Sequence, residues 1–203
     1  MDSIESLLFE FLKRKAFLQM GVGIRVFDFQ YTPIQEAQDG IYSLQLIALY
    51  SVFDKAVDTF FQSKKLKDER RKSRFQILRE KGFIEDNRAK YLLWYKDWRN
   101  DAAHHFKVIQ YFELQQATED VQKQLLAWSQ ITQIWDIRHY WVPHSESQYS
   151  IGARVDNIPI LVYEITYNQF PNSPSPTCSY GKKLDLSLND YRKLTLKTKK
   201  SSS

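Results

Sequence analysis

Cysteine is almost absent from this chain. Cys178 stands alone among 203 residues, which excludes an intramolecular disulfide framework. Glycine is scarce as well. The six glycines never cluster as a phosphate-cradling loop or a dinucleotide fingerprint requires. Histidine numbers four. His139 and His144 flank Pro143 near Glu146, but one cysteine and scattered carboxylates complete no metal set. Neither a cofactor nor a metal is therefore expected. No uninterrupted apolar run reaches membrane-spanning length. The most apolar N-terminal stretch, Ser3 to Met20, carries Glu5, Glu10, Lys13, Arg14 and Lys15. With no signal-peptide pattern either, the expected setting is cytoplasmic, without a membrane partner.

Core-forming residues are abundant. Hydrophobic side chains make up 43% and aromatics 15% of the sequence, enough to build a packed interior and too many for a disordered chain. The net charge of +5 is concentrated in two places. Lys64, Lys65, Lys67, Arg70, Arg71, Lys72 and Arg74 give residues 64–74 a net +5 against Asp68 and Glu69. Residues 182–203 carry another +5, so the remainder sums to −5. Two basic patches on an acidic body suit a polyanion such as RNA. The plainer alternative is a solvated helix face and a fraying tail.

The periodicity predicts a helix over Ser3–Met20, with Asp2 and Glu5 at capping-box spacing, ended by Gly21 and Gly23. Ile24, Val26 and Phe27 read as a short extended link. Thr32-Pro33-Ile34-Gln35 is a start signal for a second helix to about Gln62, apolar around most of its circumference. A short helix over Arg74–Lys81 stops at Gly82. From Asp86 to residue 106 the chain is either one helix or two joined near Asp97–Asp101, with Ala89, Leu92, Leu93 and Trp94 facing inward. Another helix is capped by Thr118 and ends before Pro143. The composition then turns β-branched. Residues 151–155 and 158–167 form a hairpin about Asp156-Asn157, and 171–176 a loop. Leu184–Leu188 is either a strand or, with Ser187 as cap, the entry to a short helix.

The densest chemistry lies at Trp94-Tyr-Lys-Asp-Trp-Arg-Asn-Asp-Ala-Ala-His-His105. On a helix, Asn100 and His104 share a face, and Arg99 lies about 140° round from His104, within reach of a long side chain. Arg is a permanent planar cation that binds phosphate oxygens, and His passes protons near neutral pH. Cleaving RNA without a metal needs those two functions. One His cannot readily act as both base and acid on one phosphate, whereas a symmetric dimer supplies two. The plainer reading pairs Arg99 with Asp97 or Asp101 on the surface and leaves His104 as a helix residue. Asp54 and Asp58, one turn apart in the apolar second helix, either line its exposed stripe or offer Asp54 to Arg99. Tyr91, Trp94, Tyr95 and Trp98 are either core or a surface for stacking on bases.

Arg99-Asn100-Asp101-Ala102-Ala103-His104, preceded by the apolar helix Leu46–Asp58, resembles the HEPN superfamily. Its ribonuclease members carry Arg-x(4–6)-His, commonly with Asn directly after Arg. The resemblance covers residues 1–138. It implies a HEPN-like helical bundle; with the β-branched segment after it, the expected fold is mainly α with a small C-terminal antiparallel β extension, α+β overall. The organisation expected is bundle 1–138, β-rich extension 139–196 and disordered basic tail 197–203. It further implies a homodimeric, metal-independent RNA endonuclease of toxin or defence type, leaving a 2′,3′-cyclic phosphate. Arg99, Asn100 and His104 would be catalytic and His105 and Asp54 in support, with the 64–74 cations on the RNA. An antitoxin or regulatory protein is a further expected partner. Members silenced by adenylylation carry Tyr two residues after the motif His, where this chain has Phe106. The alternative is a non-catalytic helical module that binds nucleic acid or a protein.

Overall fold

A computed structural model describes residues 3–28, 35–105, 107–168 and 177–201. Those residues form six helices and one four-stranded antiparallel sheet, a mixed α+β architecture. The helices are α1 (Ile4–Asp28), α2 (Gln35–Ser63), α3 (Arg74–Glu80), α4 (Asp86–His104), α5 (Tyr111–Ser129) and α6 (Leu188–Ser201). The strands are β1 (Ile137–Pro143), β2 (Gln148–Val155), β3 (Ile158–Asn168) and β4 (Thr177–Asp185). Among the described residues no helix is long and apolar enough to cross a membrane. The chain divides into two compact units, Met1–Phe11 with Phe29–Gln133, and Leu12–Asp28 with Ile134–Ser203.

The first unit is a bundle organised on α2. Leu46, Tyr50, Val52, Phe53, Ala56 and Phe60 are buried on one broad face, about half of the circumference. Ser51, Lys55 and Asp58 form the exposed stripe opposite, so the helix is less evenly apolar in its packing than its sequence suggests. The Phe53 ring stacks with Phe75 and Trp128, at 6.1 and 5.8 Å between centroids, and Phe60 lies 4.5 Å from Trp128. The indole of Trp128 donates to the Phe83 carbonyl at 3.1 Å, so its one polar atom is satisfied beside the core. Ser73 and Gln76 close a reciprocal capping box at the start of α3. Gly82, at φ +73°, takes the left-handed turn after it.

Several expectations need correction. The helix predicted to stop at Met20 runs on to Asp28 through Gly21 and Gly23, and Ile24–Phe27 are helical, not extended. An isolated glycine costs a helix about 1 kcal/mol without ending it. The start signals Asp2 and Thr32–Ile34 lie outside the described residues. α4 is a single helix; its inner face is Ala89, Leu92 and Tyr95, whereas Trp94 is 43% exposed. Thr118 caps nothing. It is buried inside α5 and donates to the Leu114 carbonyl. The true start is the capping box of Gln110 with Glu113. α5 ends at Ser129, and residues 137–142, expected in the helix, belong to β1.

In the second unit the strands follow the order β1-β2-β3-β4, each antiparallel to the next. Asp156, at φ 51°, and Asn157 make the expected β2–β3 turn. Ile151 and Ile165 form a small core with Phe17, Tyr149 and Tyr163. Phe17, from α1, stacks on Tyr163 at 4.9 Å. Lys13 of α1 is buried, paired with Asp185 and donating to the Leu186 carbonyl at 3.0 Å. Burial works to raise the Asp185 carboxyl, but hydrogen bonds from Lys13 and Lys182 outweigh it and hold the group below its ordinary value. β4 ends at Asp185, so the alternation through Leu188 is not all strand. Ser187 accepts from the Asp190 amide at 3.2 Å, and the helix it introduces runs through the 197–201 backbone, where a disordered tail was expected.

Candidate functional site

Every motif residue falls on the last turns of α4 or just beyond it. Arg99 points toward α2. Its guanidinium pairs with the Asp54 carboxylate, and Cζ stands 5.8 Å from the centroid of the Tyr50 ring. Neither Asp97 nor Asp101, the surface partners considered for it, is its counter-ion. The two paired side chains are only 23% and 32% exposed, so their attraction is poorly screened. Burial raises the Asp54 carboxyl above its ordinary value, and the opposing pull of Arg99 does not fully cancel this. The Arg99 Nε–H is buried without a partner, so part of the donor fork is unspent. Tyr50 is fixed by donating to the Leu92 carbonyl at 2.6 Å. Burial, with the Asp54 charge beside it, raises its phenol well above the usual range.

Asn100 is half-buried, whereas His104 and His105 are exposed. His104 is the last helical residue, and the His105 amide closes the helix on the Asp101 carbonyl at 2.8 Å. The segment that follows is sewn to α2. Ser43 Oγ donates to the Lys107 carbonyl at 2.9 Å and accepts from the Ile109 amide at 3.1 Å. Arg99, Asn100 and His104 thus share one helix end, but no hydrogen bond joins them among the described residues. Arg99 faces α2 and His104 faces solvent. A pocket of about 210 Å³ opens beside Asp54, lined also by Val57, Asp58, Ser73, Arg74, Phe75 and Lys96. It borders the carboxylate that holds Arg99 and does not include the other motif side chains.

The 64–74 cations lie on the loop between α2 and α3 and part into two groups. Arg74 is inward-acting: it pairs with Asp58 and grips Asp68 through two hydrogen bonds of 2.8 and 3.0 Å. Lys72 reaches Glu69 at 3.0 Å and Glu80 at 2.7 Å. Lys64 lies over the Phe60 and Phe83 rings at about 5.5 Å. Lys65, Lys67, Arg70 and Arg71 are exposed with no ion pair among the described residues. Lys65 and Arg71 both have positive φ, 52° and 73°. The loop therefore presents four outward cations on a braced backbone.

The aromatics of α4 divide too. Tyr95 is buried and donates to Asp120 at 2.7 Å; burial, and then that hydrogen bond, raise its phenol above the usual range. Tyr91 and Trp94 are exposed and meet edge to face at 5.5 Å. Sequence reasoning missed four exposed apolar side chains, one on α2 and three just after α4. Leu44, Val108, Tyr111 and Phe112 are 64, 45, 59 and 66% exposed. Leu44 adjoins Ser43, the residue stitched to 107–109, and the Tyr111 ring lies 5.6 Å from Tyr42. The legible signal was Gln110-x-x-Glu113, which starts α5 early and turns Tyr111 and Phe112 outward on its first turn. Among the described residues no group of three or more His, Cys, Asp or Glu is placed to hold a metal ion. In comparisons with family models, curated proteins and solved structures, the chain finds no match.

Proposed function

We propose that this chain is a HEPN-type RNA endonuclease acting as a homodimer without a metal. The observation that carries the reading is the anchoring of Arg99 by Asp54 from a neighbouring helix, one turn before an exposed His104. An anchored guanidinium is a preorganised cation for a phosphate. An exposed imidazole can exchange protons with substrate and water. In the proposed step, His104 takes the proton of a ribose 2′-hydroxyl. The 2′-oxygen attacks phosphorus, and the bond to the 5′-oxygen breaks. Arg99 stabilises charge on the phosphoryl oxygens, Asn100 orients them, and the partner's His104 protonates the leaving oxygen. The products are a 2′,3′-cyclic phosphate and a 5′-hydroxyl.

Two features support the accessory roles. Lys65, Lys67, Arg70 and Arg71 offer the RNA backbone a basic edge. The exposed Leu44, Val108, Tyr111 and Phe112 offer apolar surface to a second copy, which the one-histidine site needs. Lys72 and Arg74, also expected on the RNA, are engaged by Glu69 and Glu80 and by Asp58 and Asp68.

A specific observation favours the second reading, a non-catalytic binding module: Arg99 is already engaged by Asp54, as a structural arginine would be. RNA cleavage in EDTA separates the two. Wild type should cleave, leaving cyclic phosphate ends, and His104→Ala and Arg99→Ala should each lose about a hundredfold or more. Absence of cleavage by wild type, or equal rates in wild type and His104→Ala, would refute the catalytic reading.

A further inference from the structure

The pocket beside Asp54 holds polar capacity that neither the fold nor the candidate site consumes. Three helices build it: α2 gives Asp54, Val57 and Asp58, the start of α3 gives Arg74 and Phe75, and α4 gives Lys96. Its volume of about 210 Å³ lies below the roughly 300–1,000 Å³ of sites that bury a drug-sized ligand, which suits one small ring system. Val57 and Phe75 are buried and give it an apolar wall. The polar groups are unequally spent. Arg74 is committed to Asp58 Oδ1 and to both carboxylate oxygens of Asp68. The Arg74 bond fixes the Asp58 carboxylate, which is 58% exposed, and leaves Oδ2 without a hydrogen bond among the described residues. Asp54 gives Oδ2 to Arg99, and its Oδ1 is likewise open. Lys96 is half-buried and makes no hydrogen bond or ion pair among the described residues. Open acceptors one helical turn apart on α2 thus share a pocket with an uncommitted ammonium from α4.

Two acids and two bases line the pocket, so neither a simple cation nor a simple anion is favoured there. A free amino acid would match the charges but must surrender the hydration of its own two, a cost that a neutral ring escapes. The complement is a flat, neutral molecule with donors on one edge and acceptors on the next. Among the nucleobases guanine has that layout. Its N1–H and N2 amino group lie side by side as donors, and O6 and N7 accept on the neighbouring edge. Adenine and cytosine offer one amino group each, and uracil one imide N–H between two acceptors. We propose that this pocket binds guanine. Asp58 accepts from N1 and N2, Lys96 donates to O6 or N7, and the ring lies against Val57 and Phe75. Lysine and carboxylate side chains read exposed base edges by such bonds. Recognition of the base stands on the pocket alone. That the guanine belongs to the RNA being cut rests on the endonuclease reading: Asp54 borders the pocket and also holds Arg99, which sets the base next to the residue assigned to the phosphate.

The test is calorimetric titration of the full chain, in EDTA, with the 5′-monophosphates of guanosine, inosine, adenosine, cytidine and uridine. Guanosine monophosphate should bind about tenfold more tightly than any of the others. Inosine monophosphate lacks only the N2 amino group and so reads the Asp58 contact. In Asp58→Asn the preference for guanosine over inosine monophosphate should shrink to near parity. Lys96→Met, which breaks no hydrogen bond or ion pair of the fold, should weaken guanosine monophosphate about tenfold and leave the guanosine-to-inosine ratio unchanged. Equal binding of all the nucleotides, binding of none, or a guanosine preference that survives both variants overturns the proposal. Cleavage of single-stranded RNA then separates the two sources of the base. Cutting beside guanosine that loses its preference in Lys96→Met makes the pocket a reader of the substrate. Guanosine monophosphate binding with cleavage indifferent to guanosine makes it a site for the free nucleotide. Binding by a chain that does not cleave keeps the pocket and removes the enzyme.

Discussion

Replacing the Asp54–Arg99 pair separates structural from functional reasons for keeping it. Breaking a fully buried ion pair from one side costs about 3–5 kcal/mol, and an exposed pair is worth about 0–1 kcal/mol. With the partners 32% and 23% exposed, Asp54→Ala or Arg99→Met alone should cost about 2 kcal/mol. That corresponds to roughly 4–8 °C in melting temperature for a chain of this size. The double variant Asp54→Leu/Arg99→Met should fall within about 1 kcal/mol of wild type, because well-packed apolar replacements escape the desolvation penalty. The raised Asp54 carboxyl points the same way: attraction from Arg99 does not repay burial. Its sign is defined. A carboxyl whose folded pKa lies above its unfolded one binds protons more tightly in the native state. Its contribution therefore favours folding in acid and is lost as pH rises from the ordinary Asp value through the folded value. Asp54→Asn should flatten that part of the pH profile. Urea melts followed by far-UV circular dichroism and by tryptophan emission supply the stabilities and test whether the units unfold together. A double variant at least as unstable as either single would show that the two side chains, coupled or independent, stabilise the fold outright. The case that Arg99 is retained for chemistry would then lose its energetic support.

Two further outcomes concern the sheet. A Cβ at Gly152 would lie 1.8 Å from the Leu161 carbonyl oxygen and 3.1 Å from the Tyr140 ring, so Gly152→Ala must displace β2 from β3. It should cost more than about 3 kcal/mol, read as loss of the near-ultraviolet signal or of soluble protein, and a wild-type melt would contradict it. The depressed Asp185 carboxyl stabilises the fold above the ordinary Asp pKa, and that contribution is lost as pH falls through the lower folded value. Melting temperatures across the acid range should therefore drop less steeply for Lys13→Met than for wild type, and parallel curves would rule out this coupling.

The helices were legible where period and punctuation agreed. α2 announces itself by a long apolar run, α3 by its stop at Gly82, and the β2–β3 hairpin by Asp156-Asn157. Errors arose where a local signal competed with tertiary context. Thr118 looks like a cap because hydroxyl residues favour caps, yet in α5 its hydroxyl turns back on the Leu114 carbonyl and lets the chain bury it. β1 was hidden because Ile137–Val142 lacks glycine and follows a helical pattern; its strand character comes from pairing with β2, which no local window contains. For the candidate site, the one-helix placement of Arg99, Asn100 and His104 could be read from spacing. The pairing of Arg99 with Asp54 was only one of several options across 45 residues. The division of the basic loop into bracing and outward cations depended on Asp58 and Glu80, which lie outside the run itself.

The sheet unit is discontinuous in sequence, and this orders events on the ribosome. Lys13 meets Asp185 across 172 residues. At about 5–20 residues per second, the nascent chain carries Lys13 for roughly 10–35 s before that carboxylate is even made. Phe17 waits almost as long for Tyr163. Over the same interval the whole Phe29–Gln133 segment is synthesised. The bundle can therefore mature co-translationally, while the sheet can close only after Asp185 has been made. A fragment beginning at Ile134 would lack α1's lysine and phenylalanine altogether, so a dissected sheet unit should be built with residues 12–28 fused ahead of it.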